Sequence, residues 1–149
     1  MSLLLINCDG IIECVNGSDA PLEYPSLDEA LCSLERAGVR VRLMTRLPAV
    51  DREALTGLLG SDCTVSELPG RLEKSEFYSA MKLELSLADD EVAVFGCDAD
   101  DVPIIEAAGF SAVPLGAAID VRSSAYYVAS GAPVDSLAEV VDIILRAKA

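Results

Sequence analysis

Histidine and tryptophan are both missing from the 149 residues. Without an imidazole the chain cannot assemble a Ser-His-Asp or Cys-His catalytic group, so any chemistry must run on carboxylates, lysine or a hard metal ion. Zinc is not expected either, because the five cysteines, at positions 8, 14, 32, 63 and 97, form no C-x-x-C pair. Their odd number fits reduced thiols that serve as small apolar side chains. Basic residues are also few: eleven against twenty-five acids leave a formal charge of −14. Such a field repels nucleic acid and anionic membrane, so neither is expected as a partner. The acids are spread along the chain rather than gathered in a tail, which fits a solvated surface. Long apolar runs are lacking too. Although 52% of the residues are hydrophobic, no stretch approaches the ~18 that would span a bilayer. Met1 to Ile6 meets Asn7 and Asp9 with no basic leader or small-residue cleavage site. A soluble, cytoplasmic protein of one domain, residues 1–149, is expected, long enough to bury about two-thirds of its unfolded surface.

What the chain does have is an opening run, Leu3-Leu4-Leu5-Ile6-Asn7-Cys8-Asp9-Gly10, that turns from apolar to acidic. Unbroken apolar character over so few residues predicts a strand covered on both faces, as in a parallel sheet between helices. Ile11 to Pro25, with Gly17 and Pro21, reads as a loop. Ser26 and Glu29 make a capping box for a helix whose apolar face is Leu27, Ala30, Leu31, Leu34 and Ala37, ended by Gly38. Val39 to Thr45 alternates as a strand and presents Thr45 and Arg46 at its end. A helix from Pro48 to about Leu59 follows, then a strand at Thr64 to Leu68, a Pro69-Gly70 turn, and a helix from Leu72 to Leu87 with Lys74 in its first turn. Val92 to Phe95 is a second buried strand, and it too stops at acids, Cys97-Asp98-Ala99-Asp100-Asp101. A short helix to Ala108, strands at Phe110 to Val113 and Tyr126 to Val128, and a last helix lined by Leu137, Val140, Val141, Ile144 and Leu145 complete the chain. This alternation predicts an α/β fold, a doubly wound and mostly parallel sheet.

Polar groups therefore collect at strand and loop ends: Asp9, Thr45, Lys74 and the Asp98 to Asp101 cluster. In order and type they resemble the haloacid dehalogenase (HAD-like) superfamily, whose phosphatases read D-x-D-G after the first strand, Thr or Ser after the second, a lysine, then G-D-D-x-x-D after the fourth. The corresponding residues are Asn7-Cys8-Asp9-Gly10, Thr45, Lys74 and Gly96-Cys97-Asp98-Ala99-Asp100-Asp101. Within that superfamily the chain resembles the small capless deoxy-octulosonate phosphate phosphatases, through Asp98 to Pro103, Gly109 to Pro114 and Ala125 to Val128. It is also similar to the phosphatase-like, non-catalytic tail of animal CMP-sialic acid synthetases, which has an asparagine where Asn7 stands. Gly10 to Ser26 is shorter than the hairpin insert those relatives use to form tetramers.

The resemblance implies a Rossmannoid sheet without a cap domain, and a role for each motif residue. The position of Asn7 is that of the attacking carboxylate, and Asp9 that of the general acid and base. Thr45 and Lys74 would bind phosphate, and Asp98 and Asp101 would hold magnesium weakly, with Cys97 at a further ligand position. An amide is not a nucleophile, and a thiol is a poor partner for magnesium. The expectation is therefore a degenerate phosphatase homologue, without a required cofactor, acting as a binding or assembly module. A small anion or phosphorylated metabolite, a protein, or further copies in a homo-oligomer are its expected partners. The alternative is an active magnesium-dependent phosphatase on a small sugar phosphate. The residues leave blander readings open as well: Thr45 as a turn cap, Lys74 as a solvated helix-end lysine, and the three aspartates as helix caps.

Overall fold

The computed structural model describes residues 1–11, 25–46, 64–68 and 72–148. The helix expected from Pro48, the Pro69-Gly70 turn and nearly all of the loop from Ile11 to Pro25 lie outside the described residues. Six strands, β1 (Leu3–Asn7), β2 (Arg40–Thr45), β3 (Thr64–Glu67), β4 (Val92–Phe95), β5 (Phe110–Pro114) and β6 (Tyr127–Ala129), form one sheet in the order β3-β2-β1-β4-β5-β6. Every pairing is parallel. The helices are α1 (Pro25–Arg36), α2 (Lys74–Leu85), α3 (Val102–Ala107), α4 (Ile119–Ser124) and α5 (Pro133–Lys148). Among the described residues no helix is long and apolar enough to cross a membrane.

The period of two in the strands sorts their side chains into two cores. Leu4, Ile6, Val41, Leu43, Ala93 and Phe95 pack with Leu27, Leu31 and Leu34 of α1 and with Val134, Leu137, Val140, Val141 and Ile144 of α5. Leu3, Leu5, Val92, Val94 and Val113 face the other way, onto Phe77 and Tyr78 of α2, Ile104 and Ile105 of α3 and Val121 of α4. Covered on both sides, all of β1 is buried, which is why its sequence shows no polar alternation.

Three details differ from the sequence reading. The first helix begins at Pro25, ahead of the expected cap Ser26, since a proline at the first position gives up an N–H that had no helical partner. Asp9 to Ile11 already turn helically, where the end of the opening run and the start of a loop were expected. Helix α4 went unforeseen: in six residues Val121 is the one buried side chain, too little to set up a periodic signal.

The chain runs outward from β1 through β2 to β3, then returns to lay β4 on the other side of β1. The carboxyl ends of β1 and β4 therefore flank the point where strand order reverses, the place where open α/β sheets bind ligands. Behind β4, Gly109 seats the turn into β5: its N–H donates to the Asp89 carbonyl (2.8 Å), and a side-chain Cβ there would stand 2.6 Å from the Asp90 Cα. Gly109→Ala should lower stability by about 1–3 kcal/mol, as overpacking against fixed backbone does. Gly116→Ala, with nothing within 4 Å of the added carbon, should change it by less than about 0.5 kcal/mol. Urea unfolding of the two variants checks the contrast, and equal losses would contradict it.

Candidate active site

Asn7 closes β1 with its side chain buried between two acids. Its Nδ2 donates to Asp98 Oδ2 (3.0 Å) and to Asp101 Oδ2 (2.7 Å), while its Oδ1 accepts the backbone N–H of Asp9 (3.0 Å). Both ends of the amide are engaged, and the Asp9 N–H settles which end is oxygen, because an N–H cannot donate to an NH₂ group that faces carboxylates. Asp9 stands on the helical turn after β1. Its Oδ1 accepts from Thr45 Oγ1 (2.7 Å) and from the backbone N–H of Arg46 (3.3 Å), so the end of β2 is tied to the loop after β1.

The loop after β4 supplies the other wall. Asp101 is 0% exposed, and its Oδ2 accepts the backbone N–H groups of Cys97 (2.8 Å) and Asp98 (2.9 Å) as well as the Asn7 amide. This close wrap depends on Gly96, where a Cβ would lie 3.1 Å from the Asp101 Cβ and 3.0 Å from Ile105 Cδ1. Lys74, at the start of α2 and only 3% exposed, faces the cluster from the opposite side. Its Nζ lies 2.8 Å from Asp101 Oδ1, 2.8 Å from Asp100 Oδ1 and 3.6 Å from Asp98 Oδ2. Arg46 adds Nε at 3.3 Å from Asp100 Oδ2 and anchors its Nη2 on the Leu72 carbonyl (2.7 Å).

These contacts shape the electrostatics. Burial opposes the charge on Lys74, but the carboxylates of Asp101 and Asp100 outweigh it and raise the ammonium above the ordinary lysine value. Burial likewise works against an ionised Asp100, yet Lys74 and Arg46 hold it below the usual carboxylate range. Burial, reinforced by the charges of Asp98 and Asp101, pushes the Cys97 thiol well up, against a backbone hydrogen bond from Gly10. Unless a metal ion stands beside it, this shift disfavours the thiolate that a nucleophile would need. Its sulfur and the carboxylates of Asp98 and Asp101 lie within 4.8 Å of one another, the one group among the described residues with the spacing of a metal site.

The fold thus gathers every candidate named from the sequence: Asn7, Asp9, Thr45, Lys74, Cys97, Asp98 and Asp101. Two bland readings are corrected. Lys74 is not a solvated helix-end lysine but a buried ion-pair partner, and Thr45 directs its hydroxyl hydrogen to Asp9 rather than to a turn. Arg46 and Asp100 were seen in the sequence only as a strand end and a member of an acidic run; their pairing depends on neighbouring loops meeting in space.

No family model matches this sequence, and no curated protein matches it. Solved structures do. The cobalt-bound deoxy-D-mannose-octulosonate 8-phosphate phosphatase of Haemophilus influenzae superposes with a TM-score of 0.80 at 20% identity, over 99% of this chain and 89% of that one. The 3-deoxy-D-manno-octulosonate 8-phosphate phosphatase of Moraxella catarrhalis, solved with magnesium, phosphate and the sugar acid, gives 0.79 at 19%, over 99% and 87%. A HAD-superfamily hydrolase of Legionella pneumophila gives 0.81 at 24%, over 99% and 84%. The chain has the fold of the haloacid-dehalogenase-type phosphatases, and among the described residues no cap domain accompanies it.

Removing the Lys74 charge should be costly, because Asp101 would be left buried without a cation. Lys74→Met is expected to lose about 3–5 kcal/mol. Lys82→Met, which breaks the half-exposed pair with Asp89, should lose less than about 1 kcal/mol. Denaturant melts of both measure the difference, and comparable losses would argue against a buried network. The pH dependence has a definite sign. Stability contributed by Asp100 is complete above its ordinary value of 3.8 and lost as the pH falls through its lowered folded value. The share from Lys74 is complete below 10.5 and lost only as the pH rises through its raised folded value.

Proposed function

We propose that this chain is a phosphatase-fold protein that has given up phosphoryl transfer and works as a binding or assembly module. The observation that carries the reading is the state of Asn7. At the position where the resembling phosphatases keep their attacking carboxylate stands an amide whose nitrogen is hydrogen-bonded to Asp98 and Asp101 and whose oxygen is held by the Asp9 N–H. It has no anionic oxygen to attack phosphorus. Asp9 matches the general acid and base, and Thr45 and Lys74 the phosphate-binding positions, but their polar atoms are turned onto one another and onto the acids. Loss of the nucleophile costs a serine hydrolase about 10⁶ in turnover, equivalent to ~8 kcal/mol of barrier.

Magnesium, which the fold family implies, does not suit the residues present. Cys97 offers a soft donor where a hard one is wanted, and one oxygen each of Asp98 and Asp101 is already engaged by the Asn7 amide. Without such a cation, a phosphorylated metabolite would meet four carboxylates, Asp9, Asp98, Asp100 and Asp101, against two cations, Lys74 and Arg46. That balance makes a protein surface or a second copy the better partner. In keeping with it, Leu115, Ile119, Tyr126 and Val128 expose apolar area around β5 and the edge strand β6. If the chain were active, it would be a phosphoric monoester hydrolase.

Purified protein should show no turnover above buffer background with p-nitrophenyl phosphate or a panel of sugar phosphates, with or without magnesium. Activity that follows the protein through purification and disappears in Asp9→Ala would overturn the proposal in favour of a working phosphatase.

A further inference from the structure

We infer that the Asn7 amide donors, beside the Lys74 ammonium, satisfy the carboxylates at the end of β4 in place of a metal ion, so that this site holds together without one and excludes magnesium. The inference rests on the reading of Asn7 as a non-nucleophile and adds what the amide does instead. Turnover tests the first claim and melting behaviour the second, so the two can fail separately.

Aspartates crowded at one loop repel each other and need compensating positive charge or donors. Here Asp98 and Asp101 both point an oxygen at the same nitrogen, Asn7 Nδ2, at 3.0 and 2.7 Å. The second oxygen of Asp101 and one of Asp100 share Lys74 Nζ, each at 2.8 Å. Between them, two uncoordinated donor groups reach all three acids. A magnesium ion seated between Asp98 and Asp101 on the side of Asn7 would need their Oδ2 oxygens at about 2.1 Å, in the space where the amide hydrogens point. Rotating the amide to offer Oδ1 to an ion would strip the Asp9 N–H of its acceptor.

Asn7 is then the residue on which metal dependence turns. Asn7→Asp removes both donors and sets another carboxylate against Asp98 and Asp101, a charge only a cation can offset.

The test compares the full-length wild type, Asn7→Asp and Asn7→Ala in thermal melts, each in chelator and in millimolar magnesium. The wild type and Asn7→Ala should melt at the same temperature in both buffers, Asn7→Ala lower than wild type. Asn7→Asp should melt below wild type in chelator and recover at least about 5 °C in magnesium. A wild type stabilised by magnesium would overturn the inference, as would an Asn7→Asp variant as stable as wild type in chelator and indifferent to magnesium. Calorimetric titration of the wild type with magnesium gives a reading that no variant's folding affects: absence of binding is expected, and measurable binding would overturn the inference.

Discussion

A carboxylate cannot leave water alone: its burial is tolerated only where donors and a counter-charge meet it. Asp101, fully buried at the end of β4, imposes that requirement on its surroundings. Its partners come from three separate parts of the chain: the Cys97 and Asp98 backbone in its own loop, the Asn7 amide at the end of β1, and the Lys74 ammonium at the start of α2. One buried charge thereby joins the two central strands to the helix that crosses over one face of the sheet. Gly96 makes room for it, since any side chain there would press on Asp101 or Ile105.

From that constraint follows the character of the site. The topology brings the ends of β1 and β4 side by side, as in the solved phosphatases of the same fold, one of which holds magnesium, phosphate and a sugar acid. The proposed reading turns on a few side chains: an amide and a thiol, Asn7 and Cys97, at positions where the resemblance in motif order leads one to expect carboxylates, while the acids around them meet nearby donors. With −14 over the whole chain, any ligand that is itself an anion meets both a local and a long-range repulsion.

Much of this is legible in the sequence. The apolar runs of β1 and β4 announced strands buried on both faces, because a strand between two helical layers has no solvent side on which to place polar residues. The acids and glycines that end those runs pointed to the loops beyond the sheet, and the spacing of Leu27, Leu31 and Leu34 marked the buried face of α1. Less could be read where signals were short or non-local. Helix α4 has a single buried anchor, and the 3₁₀ turn at Asp89–Glu91 has none. Lys74 was a candidate by its place in the motif order, with a plain helix-end lysine left open beside that, since nothing in neighbouring residues says that three aspartates some 26 positions away will surround it. Arg46 went without a role for the same reason.

The sequence by itself determined the layer order of the fold, the chemical types available at the strand ends, and the absence of histidine chemistry, because each is written in local pattern or composition. It also determined that position 7 carries an amide. Only the tertiary structure decided what that amide does. Whether Asn7 lies idle or donates to Asp98 and Asp101, and whether Lys74 is solvated or buried against Asp100 and Asp101, depends on segments some 25 to 95 residues apart meeting at a few ångströms. Hydrogen bonds and buried ion pairs fall off steeply with such distances, and no local pattern encodes them.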